Sequence, residues 1–510
     1  MTAVLERTEA PPTEGPPQRA WHPSAWVTLL VMAVTVAVRA IGVASGPAYT
    51  DDEGTYVAQA WAVVDHGSLA HYTYWYDHPP LGWIVIAGWQ LLLSPFPHFA
   101  TAVLEGRVLM VVLAGINAWL LVVVARRLGL RLATAAAGAL LWGLSPLAIA
   151  YSRGVWIDNV SVTFLLGALA CALSPRRHLW AYAASGALLG AAVLSKETTL
   201  LLAPAVLLAA ARTSAGKTRT FCLTGLVATL VLVLSAFPLL ALLKGELFPG
   251  PGHVSLVDAI SWQLHGRTST GSPLNPDSGS ASMVRQWLAH DPWLLGAGVL
   301  LTPVALGLRR TRVPAVALAV PVLLALRPGY LPEPFVIALL PFAALVVAAL
   351  LDLLPSRAGG ALAAAVVLVF GLVSVPGTRA DDTGDATGQA VAVERWVSAH
   401  VPRSDRLLVD DSYWTDLVRR GYNPRLGVIW FSKLDVSGGL DPSVRREMPG
   451  GWRDVQWVVL SRPMRVALGA DAQGMPQVLA AVEHSRLEAT IGHGDTRTEI
   501  RRILPSQEPS

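Results

Sequence analysis

The chain has few charged residues and few cysteines. Of its 510 residues, 15% are charged and 53% are hydrophobic, whereas soluble domains carry roughly 25% charged residues. This composition excludes an ordinary soluble protein for most of the chain. The net charge of +4 is small for this length, which argues against nucleic-acid binding. The two cysteines, Cys171 and Cys222, lie inside apolar runs, so no disulfide between them is expected.

The charge is unevenly distributed and divides the chain into three predicted parts. Residues 1–23 are rich in Pro and Glu and are expected to form a disordered cytoplasmic segment. Residues 24–376 are almost all long apolar runs and predict a transmembrane domain. Residues 377–510 alternate strand-like and helical stretches, which is typical of a small α/β domain. This last part contains no Gly-rich phosphate-binding loop, so no nucleotide site is expected there.

Hydropathy and charge together predict the membrane topology. Apolar runs can cross a bilayer as helices, and short basic loops mark the cytoplasmic side, which predicts a polytopic α-helical membrane protein of about eleven spans. The predicted spans are 24–45, 102–124, 132–150, 159–173, 179–195, 197–211, 220–243, 292–308, 313–326, 334–352 and 359–376. With the N-terminus inside, every compact basic cluster falls on one side. We therefore expect a multi-pass protein of the plasma (inner) membrane whose C-terminal domain is extracytoplasmic.

This topology places two long loops, 46–101 and 244–291, on the outer side. Within the first loop, the apolar segment 83–95 is predicted to lie in the interface as a helix, because a crossing there would move basic loops outside. Charged residues distant in sequence converge at this outer level. They are Asp51, Asp52, Glu53, Asp77, Arg107, Arg153, Asp158, Lys196, Glu197, Arg327 and Glu333. Ionisable groups at membrane depth are functional-site candidates by default, so this convergence predicts a site.

Two acidic motifs in the first outer loop also have purely structural interpretations. The run Thr50-Asp51-Asp52-Glu53 fits a helix capping box, and acidic residues favour any helix N-terminus. A cap uses one or two of these groups, however, and three consecutive carboxylates exceed that need. The run Asp77-His78-Pro79-Pro80 fits a rigid turn, although His78 could also donate to a phosphate oxygen.

The basic candidates likewise have alternatives. Arg153 could pair with Asp158 and cap the following helix. Arg107 and Lys196 could be helix-end residues whose long side chains reach the interface.

Further basic residues lie in or near later outer loops. His265 and Arg267 could touch a donor or acceptor, but the Gly, Ser and Pro content of loop 244–291 equally suits a flexible lid. Arg327, close to Tyr330, could bind an anionic head group.

Together the motifs resemble the polyprenyl-phosphate-sugar-dependent glycosyltransferases of the C-type membrane fold. The matching residues are Asp52-Glu53, Asp77-His78-Pro79-Pro80-Leu81-Gly82, Tyr151-Ser152-Arg153 with Asp158, Gly190 with Leu194-Ser195-Lys196, and Arg327 with Tyr330 and Pro332. The likeness covers about residues 25–350. It is greatest to the dolichyl-phosphate-mannose protein O-mannosyltransferases and to the aminoarabinose transferase of lipid A.

The resemblance implies an inverting transfer of a sugar, mannose or another hexose or pentose, from a polyprenyl-phosphate donor. The acceptor would be an extracytoplasmic protein, lipid or cell-wall glycan. The base would be Asp52, with Glu53 and Asp51 as alternatives. The residues implied to bind the donor phosphate are His78, Lys196, Arg327, Arg107 and Tyr330. Those implied to bind sugar or acceptor are Asp158, Arg153, Asp77, His265 and Arg267.

The resemblance also permits a divalent cation, Mg²⁺ or Mn²⁺, held by Asp52, Asp158 and Asp77. The Asp-x-His-Pro-Pro-Leu-Gly pattern lacks one residue here, between Asp77 and His78. The sequence departs from the family in three further respects. The order Asp51-Asp52-Glu53 leaves open which carboxylate is the base, His78 stands where the aminoarabinose transferase has Lys, and the C-terminal domain resembles none in the family, so acceptor specificity does not carry over.

Two other classes of function remain open from the sequence. A multi-spanning transporter or lipid flippase would also carry intramembrane charges, but such proteins usually show internal repeats and helices broken at mid-membrane. Here the charges gather at one face without a visible repeat, which favours the enzyme. A sensor or assembly subunit with a partner-binding outer domain is the third alternative.

Overall fold

The computed structural model describes residues 23–96, 99–381, 384–435 and 441–504. The predicted disordered segment 1–23 therefore lies outside the described residues, except for Pro23. Helices make up most of the chain up to Asp381, and a small sheet with short helices forms the remainder.

The helices of the first part coincide with the apolar runs and with the two long loops predicted to be outer. They are α1 (Pro23–Ala40), α2 (Asp51–His66), α3 (Leu81–Leu93), α4 (Ala102–Arg127), α5 (Leu132–Leu144), α6 (Pro146–Arg153), α7 (Ile157–Ala172), α8 (Leu179–Ser195), α9 (Ala203–Thr213), α10 (Arg219–Leu234), α11 (Ala236–Leu243), α12 (Leu256–Ser261), α13 (Gly279–His290), α14 (Leu294–Gly307), α15 (Arg312–Ala325), α16 (Leu340–Leu351) and α17 (Ser356–Asp381). Short 3₁₀ turns at Glu197–Leu202 and Glu333–Ala338 precede α9 and α16.

Four described helical stretches are long and apolar enough to cross a membrane. They are Ala102–Arg127, Arg219–Leu243, Glu333–Leu351 and Ser356–Arg379. Helices α5 and α6 would add a fifth if they are counted as one bent span. Of six shorter apolar helices, five, among them α7 and α8, fall on other predicted spans, and the sixth, α3, falls on the segment predicted to lie in the interface. The number of about eleven spans thus stays a prediction, founded on hydropathy and loop charge.

The bend between α5 and α6 has a local cause. Pro146 lacks the N–H that would continue α5, and it occupies the first turn of a new helix, where proline is tolerated. The Ser145 side chain caps that helix by accepting from the Ala148 N–H at 3.1 Å. The two axes differ by 62°. The predicted span 132–150 is therefore two helices, and the second carries Arg153.

The last part of the chain is a small α/β unit, as the sequence predicts. Its strands are β1 (Leu407–Val409), β2 (Val428–Trp430), β3 (Trp457–Leu460), β4 (Ser485–Ile491) and β5 (Thr498–Ile503), in the order β2-β1-β3-β5-β4. Strands β2, β1 and β3 are parallel, and β5 is antiparallel to β3 and β4. The helices are α18 (Ala386–His400), α19 (Asp411–Arg419), α20 (Phe431–Leu434), α21 (Pro442–Glu447), α22 (Arg462–Ala470) and α23 (Pro476–Glu483).

Helix α19 of this unit packs directly on α2, which lies in loop 46–101. Gly54 makes the close approach possible, because a Cβ there would lie 2.1 Å from the backbone carbon of Asp411. The Asp416 carboxylate accepts from the Ala102 N–H, at 2.8 and 3.0 Å, and so caps α4. Arg419 pairs with Glu105 at 3.2 Å. The C-terminal unit is therefore fixed to the helices that carry the predicted site.

Candidate functional site

Glu53 has a structural role at the start of α2. It completes a capping box, accepting from the Thr50 N–H at 3.1 Å. Its two oxygens also accept from Nε and Nη2 of Arg107, both at 2.8 Å, and Oε1 accepts from the Val155 N–H at 2.9 Å. Glu53 and Arg107 are both buried. Glu53 as an alternative base and Arg107 as a phosphate ligand are therefore corrected, since each satisfies the other in a dry ion pair.

Asp51 faces the C-terminal unit instead of the membrane helices. It accepts from the indole N–H of Trp430 and from the backbone N–H of Asp411, each at 3.0 Å. Burial, together with repulsion from Asp411 and Asp410, raises the pKa of Asp51 well above its ordinary value. This placement corrects Asp51 as an alternative base, because its oxygens are occupied at the junction between two parts of the chain.

Asp52, between these two residues, is the carboxylate that remains available. It is exposed and makes no hydrogen bond to any side chain or backbone group among the described residues. Although part of the residue is exposed, the protein around the carboxylate desolvates it and raises its pKa, and nearby positive charge, chiefly Lys196, opposes the rise. Asp52 is thus a free carboxylate that holds a proton more readily than usual.

His78, Lys196 and Glu197 form a hydrogen-bonded chain beside Asp52. The Lys196 Nζ lies 3.2 Å from His78 Nε2, and His78 Nδ1 lies 3.0 Å from Glu197 Oε2. A protonated Lys196 has donors only, so Nε2 must accept and Nδ1 must carry the ring proton donated to Glu197. His78 then has no free donor for a phosphate. The predicted contact between His78 and a phosphate is therefore revised. The His78 ring orients the Lys196 ammonium instead.

The local sequence explains why these residues meet. Pro79 and Pro80 fix a corner before α3. Gly82 in the first turn of α3 then allows close packing, because a Cβ there would lie 2.7 Å from the Ile157 side chain and 3.2 Å from the Ser195 carbonyl oxygen. Ile157 and Ser195 directly precede Asp158 and Lys196 in the sequence. Close packing of α3 therefore brings His78 near Asp158 and Lys196.

Asp158 lies in the first turn of α7 and is buried. Its Oδ2 has no hydrogen-bond partner within the described part of the chain. Lys196, Glu197 and His78 are the charged groups that act on it most strongly. The sequence places Asp158 and Asp52 near the same charged groups, and in the structure Lys196 and His78 act on both carboxylates.

Arg153 does not pair with Asp158, contrary to the alternative drawn from the sequence. Its guanidinium is buried and donates to the backbone carbonyls of Arg39 at 3.2 Å, Val38 at 3.1 Å, and Ile41. It fastens the last turn of α1 to α6. The predicted contact of Arg153 with sugar or acceptor is therefore corrected to a structural role.

Arg267 approaches the cluster from loop 244–291. Its Nη1 donates to Gln263 Oε1 at 3.0 Å, and Gln263 in turn donates to the Asp77 carbonyl at 2.6 Å. The guanidinium carbon lies 4.0 Å from the centre of the Tyr330 ring. Arg267 also acts electrostatically on Asp52. Loop 244–291 is therefore connected to the Asp77-His78 corner, with Arg267 as its charged member.

Two predicted residues are not drawn into this arrangement. Arg327 and His265 are exposed, and their side chains make no hydrogen bond or ion pair within residues 23–96, 99–381, 384–435 and 441–504. The cation that the structure places beside Tyr330 is Arg267, so the predicted pairing of Arg327 with Tyr330 at a phosphate is revised.

Glu197 belongs to the site, although sequence reasoning noted it only as one more charge at the outer level. A signal was available, because Glu197 directly follows Lys196 at the end of α8. A predicted metal set of Asp52, Asp77 and Asp158 is not formed. Across the described ranges, no group of three or more His, Cys, Asp or Glu side chains is arranged to hold a metal ion.

A family model matches the part of the chain that contributes most of the cluster. Residues 77–241 match the family described as dolichyl-phosphate-mannose-protein mannosyltransferase. This range includes His78, Asp158, Lys196 and Glu197. No curated protein sequence matches the chain at a significant level.

Solved structures show a similar fold along almost the whole chain, and this corrects the expectation that the C-terminal domain resembles none in the family, because 96% coverage includes most of residues 377–510. ArnT from Cupriavidus metallidurans in the apo state has a TM-score of 0.60 at 14% identity, covering 96% of this chain and 99% of that one. The same protein bound to undecaprenyl phosphate has a TM-score of 0.61 at 15% identity, with coverage of 96% and 100%. Archaeal oligosaccharyltransferase AglB from Archaeoglobus fulgidus, in complex with an inhibitory peptide and a dolichol-phosphate, gives 0.53 at 11% identity, with coverage of 96% and 75%.

At such low identity these structures establish the fold and leave the reaction to be argued from the site. The family model supplies an independent likeness in sequence. The resemblance predicted from the motifs is therefore confirmed, and the chain is similar to the C-type membrane glycosyltransferases that use polyprenyl-phosphate sugars.

Proposed function

We propose that this protein is an inverting membrane glycosyltransferase that moves a sugar from a polyprenyl phosphate to an extracytoplasmic acceptor. The observation that carries the proposal is the meeting of charged side chains from separate segments around the exposed carboxylate of Asp52. These side chains are His78, Asp158, Lys196, Glu197 and Arg267. Several charges gathered at such depth cost free energy, and a functional site explains why they are retained.

Asp52 is the base in this proposal. Its free oxygens accept the proton of an acceptor hydroxyl as that oxygen attacks the anomeric carbon of the sugar. The bond from the anomeric carbon to the phosphate oxygen breaks, its electron pair leaves with the polyprenyl phosphate, and the anomeric configuration inverts. Because desolvation raises the pKa of Asp52, the carboxylate is a stronger base than an ordinary aspartate, which suits proton abstraction.

Lys196 stabilises the departing phosphate. An ammonium has three donors, and the one directed at His78 leaves two for phosphate oxygens. The His78–Glu197 hydrogen bond fixes the ring and thereby the position of the ammonium. A pre-positioned cation of this kind stabilises charge that develops on the leaving group. His78 and Glu197 are thus positioning residues in this mechanism.

The remaining polar groups suit the sugar and the acceptor. Asp158 Oδ2 is an unused acceptor for a sugar hydroxyl. Arg267, held by Gln263 over Tyr330, provides a second cation at the same place. Mannose or another hexose or pentose is the proposed sugar, and a protein, lipid or cell-wall glycan the proposed acceptor. The proposed location is the plasma (inner) membrane, with the N-terminus cytoplasmic.

Transfer assays test the proposal directly. The purified full-length protein would be incubated with radiolabelled polyprenyl-phosphate mannose, glucose and arabinose, with bacterial envelope fractions as acceptor. We expect one donor to yield labelled product and free polyprenyl phosphate, and NMR to show the inverted anomeric configuration. Retention of configuration, or no consumption of any donor by folded protein, would reject the proposed reaction.

A further inference from the structure

A large cavity lies between the outer loops and the C-terminal unit. Its volume is about 780 Å³, within the roughly 300–1,000 Å³ typical of ligand sites. Thr55 and Gln59 of α2 form one side, and Trp430 and Lys433 of the C-terminal unit form another. Asp77 also lines it. The cavity thus begins at the corner that carries His78, next to the charged cluster.

Three indole rings line this cavity, on Trp75, Trp262 and Trp430. Two of them are held by their N–H groups, since Trp75 donates to Asp441 at 3.2 Å and Trp430 donates to Asp51 at 3.0 Å. Their edges are therefore occupied, which fixes the ring planes. The C–H faces of sugar rings stack on fixed aromatic planes of this kind, and such rings offer large contact area at low entropic cost.

Two buried polar atoms on the cavity residues have no hydrogen-bond partner within the described residues. They are Gln59 Oε1 and His71 Nδ1. The other ring nitrogen of His71 lies 3.2 Å from Asp411. Burial lowers the pKa of His71 well below its ordinary value, so the ring is neutral. Either tautomer leaves Nδ1 with one unused hydrogen bond.

Leaving such atoms unpaired costs free energy, so a ligand that satisfies them gains affinity. A hydroxyl is both donor and acceptor and fits Gln59 Oε1 as well as either tautomer of His71. Lys433, Arg445 and Arg446 are the lysine and arginine residues that line the cavity, and Lys433 is paired with Asp441 at 3.9 Å and lies 5.4 and 5.2 Å from the centres of the Trp75 and Trp430 rings. A lipid phosphate is therefore the competing ligand, and the titration below separates the two.

We propose that this cavity binds the acceptor, and that the acceptor is a saccharide stacked on Trp75 and Trp430. This inference rests on the proposed function, because Asp77 joins the cavity to the cluster in which Asp52 receives the acceptor proton. The C-terminal unit then forms part of the acceptor site, contributing Trp430. Acceptor specificity would accordingly change with the residues of this unit.

Saturation-transfer NMR on the full-length protein in nanodiscs tests the inference with mannotriose, arabinotriose and maltotriose as probes. We expect at least one trisaccharide to bind, Trp75→Ala to weaken its binding tenfold or more, and Trp75→Phe to retain binding within threefold. Trp119→Ala is the matched control, because Trp119 is an exposed tryptophan on α4. If Trp75→Ala does not fold, Gln59→Ala replaces it, with an expected loss of threefold or more.

A parallel titration with undecaprenyl phosphate separates this inference from the proposed function. If the wild type binds the lipid phosphate but no trisaccharide, or binds a Ser/Thr-rich peptide at the cavity instead, the saccharide inference is overturned while the proposed function stands. Equal trisaccharide binding by wild type and Trp75→Ala also overturns it. If neither lipid phosphate nor trisaccharide binds, the proposed function itself fails.

Discussion

The charged cluster and the junction with the C-terminal unit lie on either side of the same helix start, yet their polar groups differ in kind. At the junction, carboxylates have specific partners, as Asp51 has in Trp430 and Asp416 has in the Ala102 N–H. In the cluster, Asp52 and Asp158 Oδ2 are left without hydrogen bonds among the described residues. Buried polar groups are normally paired, so the unpaired Oδ2 of the buried Asp158 fits the proposed role of the cluster as a ligand site.

The difference is sharpest within three successive residues. Asp51, Asp52 and Glu53 leave one turn of helix in three directions, toward the C-terminal unit, the cluster and Arg107. Three adjacent carboxylates therefore have different roles. Asp51 anchors the C-terminal unit, Asp52 is the proposed base, and Glu53 pairs with Arg107. Substitutions at and around this turn should separate stability from turnover.

Glu53→Gln should have the largest effect on stability. The substitution leaves the buried Arg107 guanidinium without its counter-ion, and breaking a buried pair in this way costs about 3–5 kcal/mol. Thermal unfolding in detergent measures the loss. Asp52→Asn is the control, and it should unfold near the wild-type temperature, because Asp52 has no hydrogen bond to lose. Equal unfolding temperatures for Glu53→Gln and wild type would show that the pair is not structural.

Lys196→Met should lower the turnover number about 10²–10³-fold, the usual result of removing one group that stabilises a developing oxyanion. The Met side chain keeps the unbranched stem of lysine and removes the ammonium group. Lys244→Met is a matched control at a residue whose side chain is largely exposed. Turnover is measured as release of polyprenyl phosphate. A Lys196→Met protein with wild-type turnover would remove Lys196 from phosphate stabilisation.

Gly54→Ala should destabilise the packing of the C-terminal unit on α2 by about 1–3 kcal/mol, the usual cost of over-packing. The new Cβ meets the backbone of Asp411 and Ser412, which cannot move aside as a flexible side chain would. Limited proteolysis of the C-terminal unit measures the effect. Gly88→Ala serves as the control, since a Cβ at Gly88 has nothing within 4 Å. Equal protease resistance of both variants would show that the close contact at Gly54 does not hold the C-terminal unit in place.

The pH dependence of junction stability is the smallest expected effect. Because the pKa of Asp51 is raised in the folded protein, its contribution is fully present below its unfolded value and is lost as pH rises through the folded value. Asp51→Asn cannot ionise, so its unfolding temperature should fall less than that of wild type over this rise in pH. Parallel pH profiles for the two proteins would contradict the assignment.

The sequence predicts the architecture well where one physical rule dominates. Apolar runs locate the helices, and the capping box at Thr50 and Glu53 is present in the structure. Which acid faces which partner could not be predicted, because Asp51 and Glu53 find partners more than fifty residues away in the chain. The position of His78 between Lys196 and Glu197 likewise depends on how α3 packs against α7 and α8.

Several residues were wrongly assigned to the site when only their charge and their predicted membrane depth were used. Arg107 and Arg153 were predicted at a ligand site, but burial commits them to Glu53 and to backbone carbonyls. Hydropathy places a residue along the membrane normal, whereas its direction around a helix depends on tertiary packing. The charged residues of a site must lie at one depth, but depth alone does not identify which charged residues belong to the site.

The most direct measurement compares three isosteric substitutions, Asp51→Asn, Asp52→Asn and Glu53→Gln, in one transfer assay with donor binding measured alongside. Asp52→Asn should bind polyprenyl-phosphate sugar as wild type does and lose turnover by about 10²–10⁴-fold, the range of a general base. Asp51→Asn, and Glu53→Gln below its unfolding temperature, should keep turnover within a few-fold of wild type. Wild-type turnover by Asp52→Asn, or its loss in a folded Asp51→Asn protein, would contradict Asp52 as the base.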